Sequence, residues 1–250
     1  MINVKAALHE ALAADPYQDA LAQLAGDRFG KKIAAAKRAE LTTAALKIGV
    51  KLAEKLLQDH SLEIETTQDL APQTDTEELS AADLEISREP QASTSGNNQK
   101  WQPLLDTAAL AIRLGALVTE AEYPIAPEFT TIGYFETPNE IFINRYFARY
   151  DAQLAAAKMP LLRYDSWRSV VIAHELFHYL DETQKAVPLQ EYRLKLWKLG
   201  PYTHQTELPI LREISAMAFA QRLTGWPFYP GRLSEMLLKL TQLDSASPQN

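Results

Sequence analysis

His174 and His178 lie four residues apart in the run His174-Glu175-Leu176-Phe177-His178. On a helix, side chains at that spacing project from one face, close enough to share a metal ion. Glu175 sits one position round from His174, so its carboxylate can reach a water on the open side of such an ion without being a ligand. Zinc suits this set. It binds two imidazoles and a carboxylate, leaves a position for water and lowers that water's pKa toward neutrality. Glu175 would then take a proton as hydroxide attacks a carbonyl and pass it to the leaving amine. The chain has five histidines and no cysteine. Any zinc site must therefore use His, Asp or Glu, and no disulfide framework is possible.

A third ligand is needed. Six residues past His178 stands Gln184, and Asp181 occupies the position where the long metalloprotease motif has glycine. That leaves a Glu from farther along: Glu191, Glu207 or Glu213. Glu213 leads, because it heads an amphipathic segment and a helix-borne ligand is held more rigidly than a loop-borne one. Glu207 falls at the entrance of the same segment. Hydrolysis also needs donors for the developing oxyanion. His204 and Tyr202, in the stretch PYTHQTE before Glu213, are the candidates, expected on a loop overhanging the metal. Tyr134 and Asn144 fall on an expected hairpin, where an edge strand beside the metal would bind substrate in extended form.

The elements that must position these groups follow from periodicity and punctuation. Residues 166–182 read as a helix with Asp165 or Ser166 capping its first turn, and 208–225 as a second helix that stops at Gly225. Residues 104–123 read as a helix apolar on two faces. Segments 130–135 and 140–147 are rich in Thr, Ile, Tyr and Phe and flank the turn-like ETPN, so they read as paired strands. A last helix covers about 232–243. The expected result is a small α+β domain over 101–250, with one antiparallel sheet packed on a mostly helical body.

Upstream, 1–60 is expected to be a helical region, with helices over 3–25 and 28–59. Leu46, Val50, Ala53 and Leu57 form an apolar stripe, and Lys47, Lys51 and Lys55 a basic one. Residues 61–100 hold two basic and nine acidic residues and no aromatic residue, so they are expected to be a disordered linker. The net charge of −7 argues against a nucleic-acid partner. No apolar run approaches the roughly 20 residues of a membrane span, and no signal core opens the chain. A cytoplasmic, membrane-independent protein is expected.

WRSVVIAHELFHYL resembles the active-site helix of the ImmA/IrrE-like zinc metallopeptidases, where an aromatic and a few apolar residues precede AHELGHYLL. EISAMAFAQRL is similar to their second helix, through Glu213, Ala216, Phe219 and Ala220, and EIFINRYF resembles their edge strand. The resemblance covers roughly residues 105–225. It implies a gluzincin-like, zincin-type fold with His174, His178 and Glu213 as Zn2+ ligands and Glu175 as general base. It also implies proteolysis of one or a few protein targets, often regulators. Three features depart from the pattern: Phe177 replaces Gly, Met217 replaces the Asp or Asn four residues after the Glu ligand, and the connection from His178 to Glu213 lacks a recognisable family stretch. Two other readings remain at this stage. A cleft blocked by Phe177 or by the linker would leave a zinc-binding interaction domain without activity. A metal-free structural or DNA-associated protein would rest on the lysine stripe.

Overall fold

Asp15 and Pro16 divide the first helical stretch in two. Asp15 caps the second helix by accepting from Tyr17 N–H, and Pro16 fills its first turn, where a missing N–H costs nothing. The chain thus opens with α1 (Ile2–Ala13), α2 (Pro16–Gly26), a short 3₁₀ turn and the long α3 (Ala35–Gln68). The computed structural model describes residues 2–68, 101–123, 131–185, 193–199 and 202–245. Helix α3 continues past residue 60 to Gln68, and the rest of the expected linker, 69–100, lies outside the described residues.

The second part runs α4 (Thr107–Arg113), β1 (Leu117–Ala121), β2 (Gly133–Glu136), β3 (Glu140–Asn144), a 3₁₀ turn, α5 (Asp151–Ala156), α6 (Tyr164–Gln184), β4 (Arg193–Leu199), β5 (Tyr202–Glu207), α7 (Pro209–Thr224) and α8 (Gly231–Ser245). The architecture is α+β with a helical body, as the residue patterns indicate. The sheet differs in kind. Its order is β1-β3-β2, with β2 antiparallel and β1 parallel to β3, so it is mixed rather than antiparallel. The missed strand lies inside the stretch expected to be one helix over 104–123. Asp106 caps α4 through Ala108 and Ala109 N–H. Gly115, at φ 97°, then ends the helix, a conformation that disfavours a side chain. Leu117–Ala121 leaves that glycine as a strand.

Two more expectations are corrected. The stretch PYTHQTE is not a loop. Tyr202–Glu207 is strand β5, antiparallel to β4, with Leu199 opposite Tyr202 and Arg193 opposite Glu207. And α6 starts at Tyr164, one residue ahead of the expected caps. Its first-turn donor Tyr164 N–H is satisfied by Asp151 Oδ1 of α5 at 2.8 Å, while Ser166 Oγ donates to Pro160 O at 2.9 Å.

Helix α6 forms the centre of the core. Trp167, Ile172, Ala173, Leu176 and Phe177 are fully buried on it. Glu120 of β1 accepts from Tyr164 Oη at 2.7 Å and from Arg168 Nε at 2.6 Å, fastening the sheet to the start of α6. Burial pushes the Glu120 carboxyl up, but the Arg168 and Tyr164 hydrogen bonds outweigh it and hold the group below its ordinary range.

Helix α7 lies between α6 and α3. The α3 face turned inward carries Thr42, Ala45, Gly49 and Ala53, all buried, so of the apolar stripe read from sequence only Ala53 sits at its centre. Small residues let the two helix backbones approach closely. Ser215 Oγ of α7 donates to Ala45 O at 2.9 Å. A Cβ on Gly49 would lie 2.1 Å from Ser215 O and 2.8 Å from Phe219 N. Both are backbone atoms, so the helices would have to separate. Gly49→Ala should destabilise the protein by about 1–3 kcal/mol and lower Tm by roughly 5 °C or more. Gly26→Ala, where nothing lies within 4 Å of the added carbon, should change Tm by no more than about 2 °C. Thermal unfolding of the two variants checks this, and equal Tm values would contradict the close approach. Polar ties also join the N-terminal helices to the last ones: Arg232 of α8 pairs with Asp19 at 2.6 Å and Glu10 at 2.8 Å, and Arg222 of α7 with Glu54 at 3.2 Å.

Candidate metal centre

The 3.6-residue repeat brings His174 and His178 to one face of α6, and α7 crosses that face with Glu213 in its second turn. His174 Nε2 and His178 Nε2 lie 3.1 Å apart. Glu213 Oε2 is 3.3 Å from His174 Nε2, and Glu213 Oε1 is 3.5 Å from His178 Nε2. Three donor groups from two helices therefore converge on one point. A tetrahedral zinc ion with bonds of about 2.0–2.1 Å requires donor separations of about 3.3 Å, so the spacing fits the ion. The two imidazoles are 13% and 16% exposed and Glu213 42%, which leaves an open side toward solvent. Glu175 is also part of the cluster: its carboxylate and the two imidazoles have ligand atoms within 4.8 Å of one another.

The electrostatics favour a cation at the centre. Burial pushes the Glu213 carboxyl up, but hydrogen bonds and charge from the two imidazoles hold it far below the carboxylate range. Burial lowers His174, yet the Glu213 hydrogen bond and the Glu175 charge raise it on balance. Burial drives Glu175 up, opposed by both imidazoles and by the backbone N–H of Phe135. Two carboxylates facing two imidazoles attract positive charge, whether as protons or as a metal ion. His174 Nδ1 is buried and has no hydrogen-bond partner among the described residues, so no described side chain orients that imidazole in place of Met217, four residues beyond Glu213. Instead the helices are held from the side. Arg212, next to Glu213, places Nε 2.7 Å from Oδ2 of the buried Asp181, three residues after His178.

The cluster opens into a cleft of about 760 Å³, bordered by β2, α6, α7 and the start of α8. Thr131–Phe135 form one wall, and Met217 and Leu233 lie on the lining. Asn144 N–H donates to Ile132 O at 2.8 Å. With Tyr134 opposite Phe142, alternation turns the N–H and C=O of Gly133 and Phe135 away from β3, to the open edge. The edge strand beside the cluster is thus β2. Strand β3, the expected edge, is paired on both sides. Gly133 is required for this placement: a Cβ there would meet Val171 Cγ1 of α6 at 2.5 Å and Phe142 O at 3.0 Å. Neither Gly133 nor the Asp181–Arg212 pair is evident from residue pattern alone. Glycine just ahead of a β-rich run was the available signal for the first.

The other candidates take different places. Asn144 is buried and braces the backbone, accepting from Tyr123 and Tyr146 N–H and donating to Thr131 O. Tyr134 stacks on Phe142 and lines the cleft. Tyr202 is 76% exposed at the end of β5 far from α7. The side chains of His204 and Glu207, and Glu191 as a whole, lie outside the described residues. Phe177 is fully buried, 5.7 Å from the Phe219 ring, and takes no part in lining the cleft. No helix among the described residues is long and apolar enough to cross a membrane.

Comparisons with protein-family models, with curated proteins and with solved structures give no significant match.

Proposed function

We propose that the protein is a zinc-dependent endopeptidase of the HExxH…E, gluzincin-like type, related to the ImmA/IrrE-like peptidases and acting on one or a few protein targets in the cytoplasm. The observation that carries the reading is the convergence of His174, His178 and Glu213 with separations of 3.1–3.5 Å, with Glu175 alongside and an open strand edge bordering the same cleft. In this reading His174, His178 and Glu213 would hold a zinc ion, which would supply a Lewis acid and lower the pKa of a water at the site. The outward N–H and C=O of Gly133 accept and orient an extended peptide by main-chain hydrogen bonds, as an added strand. Glu175 takes a proton from the attacking water and delivers it to the amine nitrogen as the C–N bond breaks. His204 is the proposed donor to the oxyanion, ahead of Tyr202, whose exposed place at the far end of β5 gives it less support. Phe177 is buried and does not line the cleft, which supports activity over a cleft blocked by that side chain.

The test is hydrolysis of a proteome-derived peptide library. Cleavage should disappear on treatment with 1,10-phenanthroline and return when zinc is added back. Cleavage that persists in metal-depleted protein would overturn the zinc mechanism.

A further inference from the structure

The lysine stripe of α3 is unused by the site, and it borders a second cavity. A groove of about 1150 Å³ runs beside α3, with Leu114 after α4 and Leu180 and Gln184 of α6 on its other side. Its floor is aliphatic: Ala44, Ile48, Leu52 and Leu56 recur every four residues and are only partly buried. One position ahead of each of the last three stand Lys47, Lys51 and Lys55, all exposed. None of the three makes an ion pair with a described residue. From Ala39 to Asp59 the groove follows α3 for about 30 Å.

We infer that this groove docks an acidic amphipathic helix of a partner protein, with its apolar face on the aliphatic floor and its carboxylates along the lysines. The chemistry selects that occupant. The basic margin of Lys47, Lys51 and Lys55 lies between Glu40 and Asp59 at the two ends of the groove, and this central basic stretch beside an apolar stripe is complementary to a helix carrying apolar anchors at i, i+4, i+7 and acidic residues beside them. A nucleic acid would leave the floor uncovered, and the lining offers it no aromatic residue for stacking. A lipid surface is flat, whereas the floor is recessed below the lysines. The groove does not depend on the metal centre, although Leu180 and Gln184 belong to the helix that carries His174 and His178.

Fluorescence anisotropy with the full-length protein tests the inference. The probe is a labelled synthetic helix of about 20 residues, Leu at i, i+4, i+7 and i+11 with Glu beside each. The comparators are the same peptide with Lys for Glu, a scrambled peptide of identical composition, and a single-stranded oligonucleotide. The acidic amphipathic peptide should bind at least about tenfold more tightly than either peptide comparator, and its binding should weaken as salt rises from about 50 to 300 mM. The K47E/K51E/K55E variant should lose at least about tenfold in affinity for it while keeping its circular dichroism spectrum and Tm, since exposed lysines are being exchanged for a good helix former. Hydrogen exchange should slow within 39–59 on binding. The inference is overturned if the acidic peptide fails to saturate or binds no better than the scrambled one. It is equally overturned if the triple variant binds the peptide unchanged, or if the oligonucleotide alone loses affinity in that variant.

Discussion

Protein purified without a histidine tag should carry close to one equivalent of zinc, and His178→Ala almost none. The two imidazoles and the Glu213 carboxylate already stand at the separations that a tetrahedral ion of about 2.0–2.1 Å bonds demands. Little reorganisation opposes binding, and removing one of three donors removes a full coordinate bond. Loss of an outer-shell partner typically costs 10–100-fold in affinity; loss of His178 or Glu213 should cost at least about a hundredfold. Glu175→Gln should retain the metal, because Glu175 is assigned to the water and not to the ion. Metal analysis, with zinc affinity measured by chelator competition, decides between these roles. A further signature follows from linkage: an ion that binds only the folded state raises Tm. Chelation should therefore lower Tm in the wild type and leave His178→Ala unmoved. Equal zinc content in wild type and His178→Ala would sink the ligand set. Loss of zinc in Glu175→Gln would make Glu175 a ligand.

Helix α7 was legible because it encodes its own end: Gly225, at φ 69°, stops it where expected. For α6 the sequence marked the element but not its start, which Asp151 of α5 secures by accepting from Tyr164 N–H. Eliminating residue types left three glutamates, and Glu213 led because it heads an amphipathic helix; the structure places its carboxylate 3.3 Å and 3.5 Å from the two imidazoles. What was missed depends on partners distant in sequence. Strand β1 exists because Gly115 turns the chain toward β3, some twenty residues on, and its Leu-Val-Thr run is short enough to pass as the end of a helix. The stretch 202–207 became β5 by pairing with 193–199, so its polar, proline-led sequence gave the appearance of a loop. The face of α3 that meets α7 is marked by small residues, Ala45, Gly49 and Ala53. A search for large apolar residues overlooks such a face, although close backbone approach is what it provides. The edge position of β2 was illegible for the same reason: which strand lies outermost is a property of the sheet order, not of any one strand.

Glu175→Gln should lower turnover by about 10²–10⁴-fold without altering the fold or the metal content. The substitution is chosen for what it preserves. Glu175 is 7% exposed, so a shorter side chain would leave a cavity beside the centre and a charged replacement would go unpaired. Glutamine keeps the volume and a carbonyl oxygen facing the Phe135 N–H. It removes only the capacity to hold a proton. If Glu175 carries the proton from the attacking water to the departing amine, two proton transfers are lost together, and the rate should fall on substrates of every sequence by a similar factor. A group that merely shapes the cleft would change KM from one peptide to the next instead. Turnover is therefore measured on several cleaved peptides, with zinc quantified in each preparation. A uniform fall in kcat with zinc retained supports the assignment. Unchanged kcat in Glu175→Gln would remove Glu175 from the chemistry and leave the buried carboxylate as a counter-charge to the two imidazoles. A zinc-loaded wild type that cleaves no peptide would instead favour the binding-domain reading, in which the same triangle of donors fixes α6 against α7 and the open edge of β2 holds a peptide without cutting it.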